Sequence, residues 1–229
     1  MPSPKKIVLL GATGSIGENT CRVVAKHPDK LELLAIAGRK RWLKLVDIAK
    51  QFNVPHVAIY DEASCEEAQK SGLFPEGTQF HCGLPGLIEV STLAEAKLVV
   101  PAIVGTLALK PTLAALEQGK DIALASKEIL VLAGKFVMGT AKKHGSMMLP
   151  LDSEHNAIFQ CLQGEREVDV DRLILTASGG PFRDFTRELL RDQPKEIEKY
   201  GFDYFKEKLK SAPPPAAAAA PEGGDPSSN

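Results

Sequence analysis

The sequence predicts an α/β protein, a doubly wound parallel sheet with the beginning of a second, α+β domain behind it. Three observations carry that prediction. From Ile7 to about Leu151, short aliphatic or β-branched runs alternate with longer segments of helical period, as parallel strands joined by crossover helices do. The first run leads directly into residues 9–17, LLGATGSIG, with three glycines at every third position. Past Leu151 the alternation gives way to one short helical stretch, one strand and a Gly-rich turn.

The first predicted strand, residues 7–10 (IVLL), is apolar throughout, as a strand covered on both faces must be. Residues 16–26 follow the glycines as the first helix, and 31–37 (LELLAIA) form the second strand. The helix at 42–52 begins with Trp42, read as a core residue, and carries apolar side chains at helical spacing. Strand 57–60 (VAIY) and the polar helix 62–70 come next. Strand 98–101 (LVVP), helix 107–117, strand 122–124 (IAL), the long helix 128–144 and strand 147–149 complete the alternation. Right-handed crossovers are expected throughout.

Domain limits follow from composition. Residues 1–150 are expected to form the sheet domain and 151–208 part of a second domain, with a helix at 155–162, a strand at 173–176 and a charged helix at 196–208. Residues 209–229 are expected to be a disordered tail, since SAPPPAAAAAPEGGDPSSN has almost no large apolar side chain to offset its ordering entropy.

A formal net charge of −1, with no long block of like charge, gives no field to attract polyanions, which argues against nucleic acid. Cys21, Cys65, Cys82 and Cys161 lie far apart without metal-ligand spacing, so the expectation is free thiols in a reducing compartment. Residues 1–6 are too short and polar for a signal peptide, and no stretch approaches ~20 apolar residues. A cytoplasmic protein with no membrane partner is expected.

Gly11, Gly14 and Gly17 sit where the first strand meets the first helix, so the backbone there can turn tightly and approach a ligand. With the helix dipole, such a Rossmann-like turn suits a dinucleotide diphosphate, though a purely structural strand–helix turn uses the same residues. At the end of the second strand an NAD protein would place an acid for the ribose hydroxyls, yet the chain reads Gly38-Arg39-Lys40-Arg41. Cations there favour the 2′-phosphate of NADP; a solvated basic corner is the plainer alternative.

In Ala125-Ser126-Lys127-Glu128, Ser126 reads as a helix cap and Glu128 as a first-turn acid, while Lys127 faces the positive end of the helix. Its charge is either used by a ligand or carried into solvent. Asp152 and Glu154, two apart after a strand, would point to one side in extended backbone and suit Mg²⁺ or Mn²⁺; the same acids also fit the cap and first turn of a helix. Residues 176–182, TASGGPF, offer unhindered N–H groups and the Ser178 hydroxyl for an anion, or form a tight turn. His155, beside acids at a helix start, reads as a structural partner.

Taken in order, GATGSIG, AIVGTLALKPTLAAL, ASKE, PLDSEHNAIFQ and TASGGPF resemble the 1-deoxy-D-xylulose 5-phosphate reductoisomerase family over roughly residues 5–183. That resemblance implies an NADPH- and divalent-metal-dependent conversion of 1-deoxy-D-xylulose 5-phosphate to 2-C-methyl-D-erythritol 4-phosphate in non-mevalonate isoprenoid synthesis, a rearrangement followed by hydride transfer. It implies Thr13, Gly14, Ser15 and Ile16 at the cofactor diphosphate, Gly38, Arg39 and Lys40 at its adenosine phosphate, and Ser126 and Glu128 at its nicotinamide half. Asp152 and Glu154 would hold Mg²⁺ or Mn²⁺, and Lys127, Ser153 and Ser178 would meet the phosphosugar substrate. Lys127, Asp152 and Glu154 are thereby the expected catalytic residues, and a homodimer the expected assembly.

Two departures from the family pattern stand out. Ser126 replaces an Asn that many members carry. Beyond Arg183 no match appears to the flap, or to the segment resembling SATLMNKGLE that provides phosphate ligands and a third metal carboxylate. The expectation is therefore very slow turnover or none. A chain that holds NADPH without turnover, or an NADP dehydrogenase of another substrate, are the competing functions.

Overall fold

The computed structural model describes residues 3–173. They form β1 (Lys5–Leu10), α1 (Ser15–Lys26), β2 (Leu31–Gly38), α2 (Trp42–Phe52), β3 (His56–Ile59), α3 (Glu62–Ser71), β4 (Gln79–Cys82), α4 (Gly83–Ser91) and β5 (Leu98–Pro101). A 3-10 turn (Thr106–Ala108) then leads into α5 (Leu109–Glu117), β6 (Asp121–Leu124), α6 (Glu128–His144), β7 (Met148–Pro150), α7 (Ser153–Cys161) and a second 3-10 turn (Glu167–Asp169). The expected turn at 176–182, the helix at 196–208 and the tail at 209–229 lie outside the described residues, as does the strand at 173–176 beyond Leu173.

All seven strands pair in parallel, in the order β4-β3-β2-β1-β5-β6-β7. This is the α/β, Rossmann-like architecture expected from the sequence. The strand order reverses between β1 and β5, which both leave the sheet at the same edge, and a crevice at such a switch point is where open α/β sheets bind ligands. Val8, Leu9 and Leu10 of the central strand are completely buried. Each such side chain stabilises the fold by roughly 1.5–3 kcal/mol, so the loop that follows β1 starts from a rigid base.

The chain divides into two compact units with the boundary between Asp152 and Ser153. The first contains the whole sheet. Its core joins Leu9, Ile36, Leu45, Val57 and Ile59 to Cys65 and Ala68 of α3. Lys120, also buried, donates from Nζ to the carbonyls of Leu93 and Ala96, which satisfies the charge and ties β6 to the chain entering β5.

Several features differ from the sequence expectation. β4 and α4 were not anticipated, because β4 has only four residues at the sheet edge and α4 (GLPGLIEVS) contains two glycines and a proline. α6 is not one regular helix: Ala133 has φ −139° and ψ 25°, next to Gly134. α7 begins at Ser153 rather than at 155, so Glu154 lies in a helical first turn and the extended-backbone argument for its direction does not apply.

The cysteine expectation is corrected more sharply. Cys65 and Cys82 form a disulfide across α3 and the end of β4, with Cα atoms 5.8 Å apart, leaving Cys21 and Cys161 free. The pairing is created by the packing of α3 against β4, which linear spacing does not reveal. Among the described residues no helix is long and apolar enough to cross a membrane.

Candidate functional site

The carboxyl ends of β1, β2 and β6 place three of the predicted clusters along one edge of the sheet. After β1, the N–H groups of Gly11 and Ala12 donate to the carbonyl of Ala37 at 3.0 and 2.8 Å, which fastens the glycine loop to the end of β2. Gly11 has φ +92°, and a Cβ there would stand 2.5 Å from the carbonyl oxygen of Ala102, just past β5. A Cβ on Gly17 would stand 2.4 Å from the Gly11 oxygen and 2.6 Å from Ala12. Only glycine fits either position, and the fit packs the start of α1 against the loop at the β1/β5 switch point.

α1 opens at Gly14 without a side-chain cap. Its first helical bond runs from the Glu18 N–H to the Gly14 carbonyl at 2.8 Å, so the N–H groups of Ser15, Ile16 and Gly17 precede the ladder. Uncapped N–H groups at the positive end of a helix are what a diphosphate requires. The predicted diphosphate residues Thr13, Gly14, Ser15 and Ile16 are thus brought together in one turn.

The basic corner follows β2, and its cations have unequal surroundings. Lys40 Nζ lies 3.5 Å from Asp61 Oδ1, and Lys44 Nζ lies 3.1 Å from Glu18 Oε1. Asp61 caps α3, accepting from the Ser64 N–H and hydroxyl at 3.1 and 2.8 Å. These bonds, with Lys40, hold its carboxyl below the usual range. Arg39 is exposed and makes no ion pair among the described residues. Arg41 reaches back to the glycine loop, its Nη2 donating to the Thr13 carbonyl at 2.7 Å. Sequence reasoning included Arg41 in the basic run but missed this contact, and it missed Asp61 altogether; neither has a local signal.

After β6, Ser126 is buried and its hydroxyl donates to Glu128 Oε2 at 2.9 Å, closing the first turn of α6. The carboxyl of Glu128 is held below its ordinary range, first by its own backbone N–H, then by Ser126, with Lys127 adding to the effect. Lys127 is exposed at the N-cap of α6. After β7, Asp152 ends the first unit, while Ser153 and Glu154 open α7 in the second, the Ser153 hydroxyl donating to Glu154 Oε2 at 2.8 Å. Among the described residues no three His, Cys, Asp or Glu side chains gather as a metal site. Ser178 lies outside the described residues.

Fold and site together define a class: a parallel α/β protein with a dinucleotide-type phosphate loop at its switch point and a cationic corner on the neighbouring strand. Comparison with known proteins narrows it. The family signature of 1-deoxy-D-xylulose 5-phosphate reductoisomerase matches residues 7–134, and that of the family's C-terminal domain matches residues 148–199. The chain belongs to this family.

It is 42% identical over 198 residues to the 1-deoxy-D-xylulose 5-phosphate reductoisomerase of Clostridium botulinum (strain Okra / Type B1), covering 86% of this chain and 51% of that protein. The enzyme of Halalkalibacterium halodurans is 49% identical over 187 residues, covering 81% of this chain and 48% of its own length. Among solved structures, the Zymomonas mobilis reductoisomerase in complex with NADPH matches with a TM-score of 0.72 at 34% identity, over 91% of this chain and 56% of that one. A DOX-P reductoisomerase in complex with magnesium matches with a TM-score of 0.71 at 35% identity, again over 91% and 56%. The chain therefore spans about half the length of the curated relatives it matches.

Proposed function

We propose that the chain binds NADPH and a divalent cation, Mg²⁺ or Mn²⁺, and acts in the conversion of 1-deoxy-D-xylulose 5-phosphate to 2-C-methyl-D-erythritol 4-phosphate. The observation that carries this reading is the uncapped start of α1, lying against the β1/β5 switch point with the cationic corner after β2 beside it. The residues fit the cofactor: Thr13 to Ile16 cradle the diphosphate, Gly38, Arg39 and Lys40 face the adenosine phosphate, and Ser126 and Glu128 serve the nicotinamide half. Asp152 and Glu154 supply hard carboxylate oxygens of the kind Mg²⁺ and Mn²⁺ prefer. Bound there, the cation would provide Lewis-acid polarisation of substrate oxygens and NADPH the hydride.

The chain's own contribution is orientation and charge. The glycine loop and α1 N–H groups fix one end of the cofactor, and the Ser126–Glu128 pair, kept anionic, fixes the polar side of the other. Lys127, Ser153 and Ser178 are assigned to the phosphosugar, with Lys127 the cation closest in sequence to the nicotinamide pair. Partners in this reading are the phosphosugar and a second copy of the chain in a homodimer. Nucleotide and phosphosugar are both membrane-impermeant, which supports a cytoplasmic location.

A second reading is NADPH binding without turnover, in which Asp152 and Glu154 hold no catalytic cation. The test is NADPH oxidation by the purified chain with 1-deoxy-D-xylulose 5-phosphate and Mn²⁺. Turnover that Asp152→Asn and Glu154→Gln both abolish supports the first reading. Binding of NADPH with no turnover supports the second, and no binding at all overturns both.

A further inference from the structure

From the contacts of the basic corner we infer that Arg41 is a positioning residue for the cofactor diphosphate, distinct in role from the phosphate-selecting Arg39 and Lys40. The inference rests on the reading of the glycine loop as a diphosphate cradle. Its basis is the peptide between Thr13 and Gly14. The oxygen of that peptide accepts from Arg41 Nη2 at 2.7 Å, and its N–H donates to the Gly11 carbonyl at 3.1 Å. Both polar ends of one peptide plane are thereby pinned, and the next N–H groups along the chain are those of Ser15 and Ile16, which lead the uncapped helix. Fixing this plane fixes the direction in which those donors point.

The chemistry of the contact matters as much as its place. Lys40 and Lys44 are each paired with a carboxylate, Asp61 and Glu18, which partly offsets their charge. The hydrogen bond of Arg41 is to a neutral carbonyl, so the guanidinium keeps its charge beside the loop. The planar fork also leaves further N–H donors, and a lysine at this position would have no such geometry. Glu18 is shared among Lys44, Arg22 and Arg41, with Lys44 dominating. Arg41 thus does two things with one side chain: it orders the loop and adds a fixed positive charge where a diphosphate would lie.

The experiment has two arms, using Arg41→Met, which retains the apolar stem, and Arg41→Lys. In the ligand-free chain, amide hydrogen exchange should speed up in residues 11–18 of Arg41→Met and stay unchanged across α3 and α4. In the second arm, dissociation constants for NADPH and NADH, measured by nicotinamide fluorescence, should both rise by about tenfold or more. The ratio between the two should stay constant, and Arg41→Lys should recover part of the loss. Unchanged exchange in the glycine loop overturns the inference. So does a loss confined to NADPH, which would make Arg41 a 2′-phosphate ligand. If the parent chain binds neither nucleotide, the cofactor reading fails on its own, and the exchange arm still decides whether Arg41 orders the loop.

Discussion

Gly17 has no room for a side chain: the atoms a Cβ would meet at 2.4 and 2.6 Å belong to the backbone of Gly11 and Ala12. Backbone cannot rotate aside as a side chain can, so Gly17→Ala must lift α1 away from the loop. NADPH affinity should fall by at least about tenfold, read by fluorescence titration on protein whose circular dichroism is unchanged; an alanine variant binding as tightly as the parent would remove the loop from the cofactor site. A second prediction separates the cations after β2. Arg39 carries its charge without an ion-pair partner among the described residues, whereas Lys40 shares its charge with Asp61 at 3.5 Å. Arg39→Asp should reverse the preference for NADPH over NADH, and Lys40→Ala should shift it less. A larger effect from Lys40 would show that the Asp61 pairing is too exposed to matter. The glycine spacing and the run of basic residues were both legible in the sequence because each is a local pattern. The partners of Lys40 and Arg41 were not, since Asp61 and Thr13 are brought to them by the order of strands in the sheet.

At the scale of elements, β4 and the helix after it are where sequence reading failed, and two chemical devices reside at the sheet edge they form with β3. The edge strand is short, and its following helix contains residues that weaken helices, so neither periodicity signal survives there. Yet it holds a histidine pair, His81 buried and His56 half-buried: His56 Nδ1 lies 3.2 Å from His81 Nε2, and His81 Nδ1 lies 2.9 Å from Glu89 Oε2. Burial first, and His81 second, lower the pKa of His56 from 6.5, against opposing pulls from Glu95 and Glu89. A histidine whose folded pKa is depressed stabilises the fold above its unfolded pKa and loses that contribution as pH falls through the folded value. The β3–β4 edge should therefore lose exchange protection before the central strands as pH drops below 6.5. A titration midpoint for His56 at or above 6.5 in nuclear magnetic resonance would contradict this. The second device is the Cys65–Cys82 bond, with a sequence separation of 17, a loop whose closure stabilises by roughly 3 kcal/mol. Without reductant the denatured chain should show two reactive thiols, Cys21 and Cys161, and reduction should lower the unfolding midpoint. Four thiols without reductant would refute the bond.

For the molecule as a whole, the boundary after Asp152 separates the residues proposed for the cofactor from Ser153 and Glu154. The overall α/β class and the parallel sheet were legible because fully buried parallel strands must be apolar runs and their crossovers must be helices. The second unit was less legible, because the residues that open it, Ser153 and Glu154, satisfy a helix start as well as a ligand set. Every residue proposed to touch NADPH, from Thr13 to Glu128, lies in the unit that ends at Asp152, and so do Arg41 and the disulfide. That unit contains all seven strands and the hydrophobic core beneath the glycine loop. Cofactor binding should then be a property of this unit alone. A fragment comprising residues 3–152 is expected to fold, to bind NADPH with a dissociation constant within about twofold of the full chain's, and to gain thermal stability with NADPH as mass action requires. Calorimetry on fragment and chain in the same buffer decides it. A fragment that is folded by circular dichroism but binds about tenfold more weakly would show that residues of the second unit complete the cofactor site.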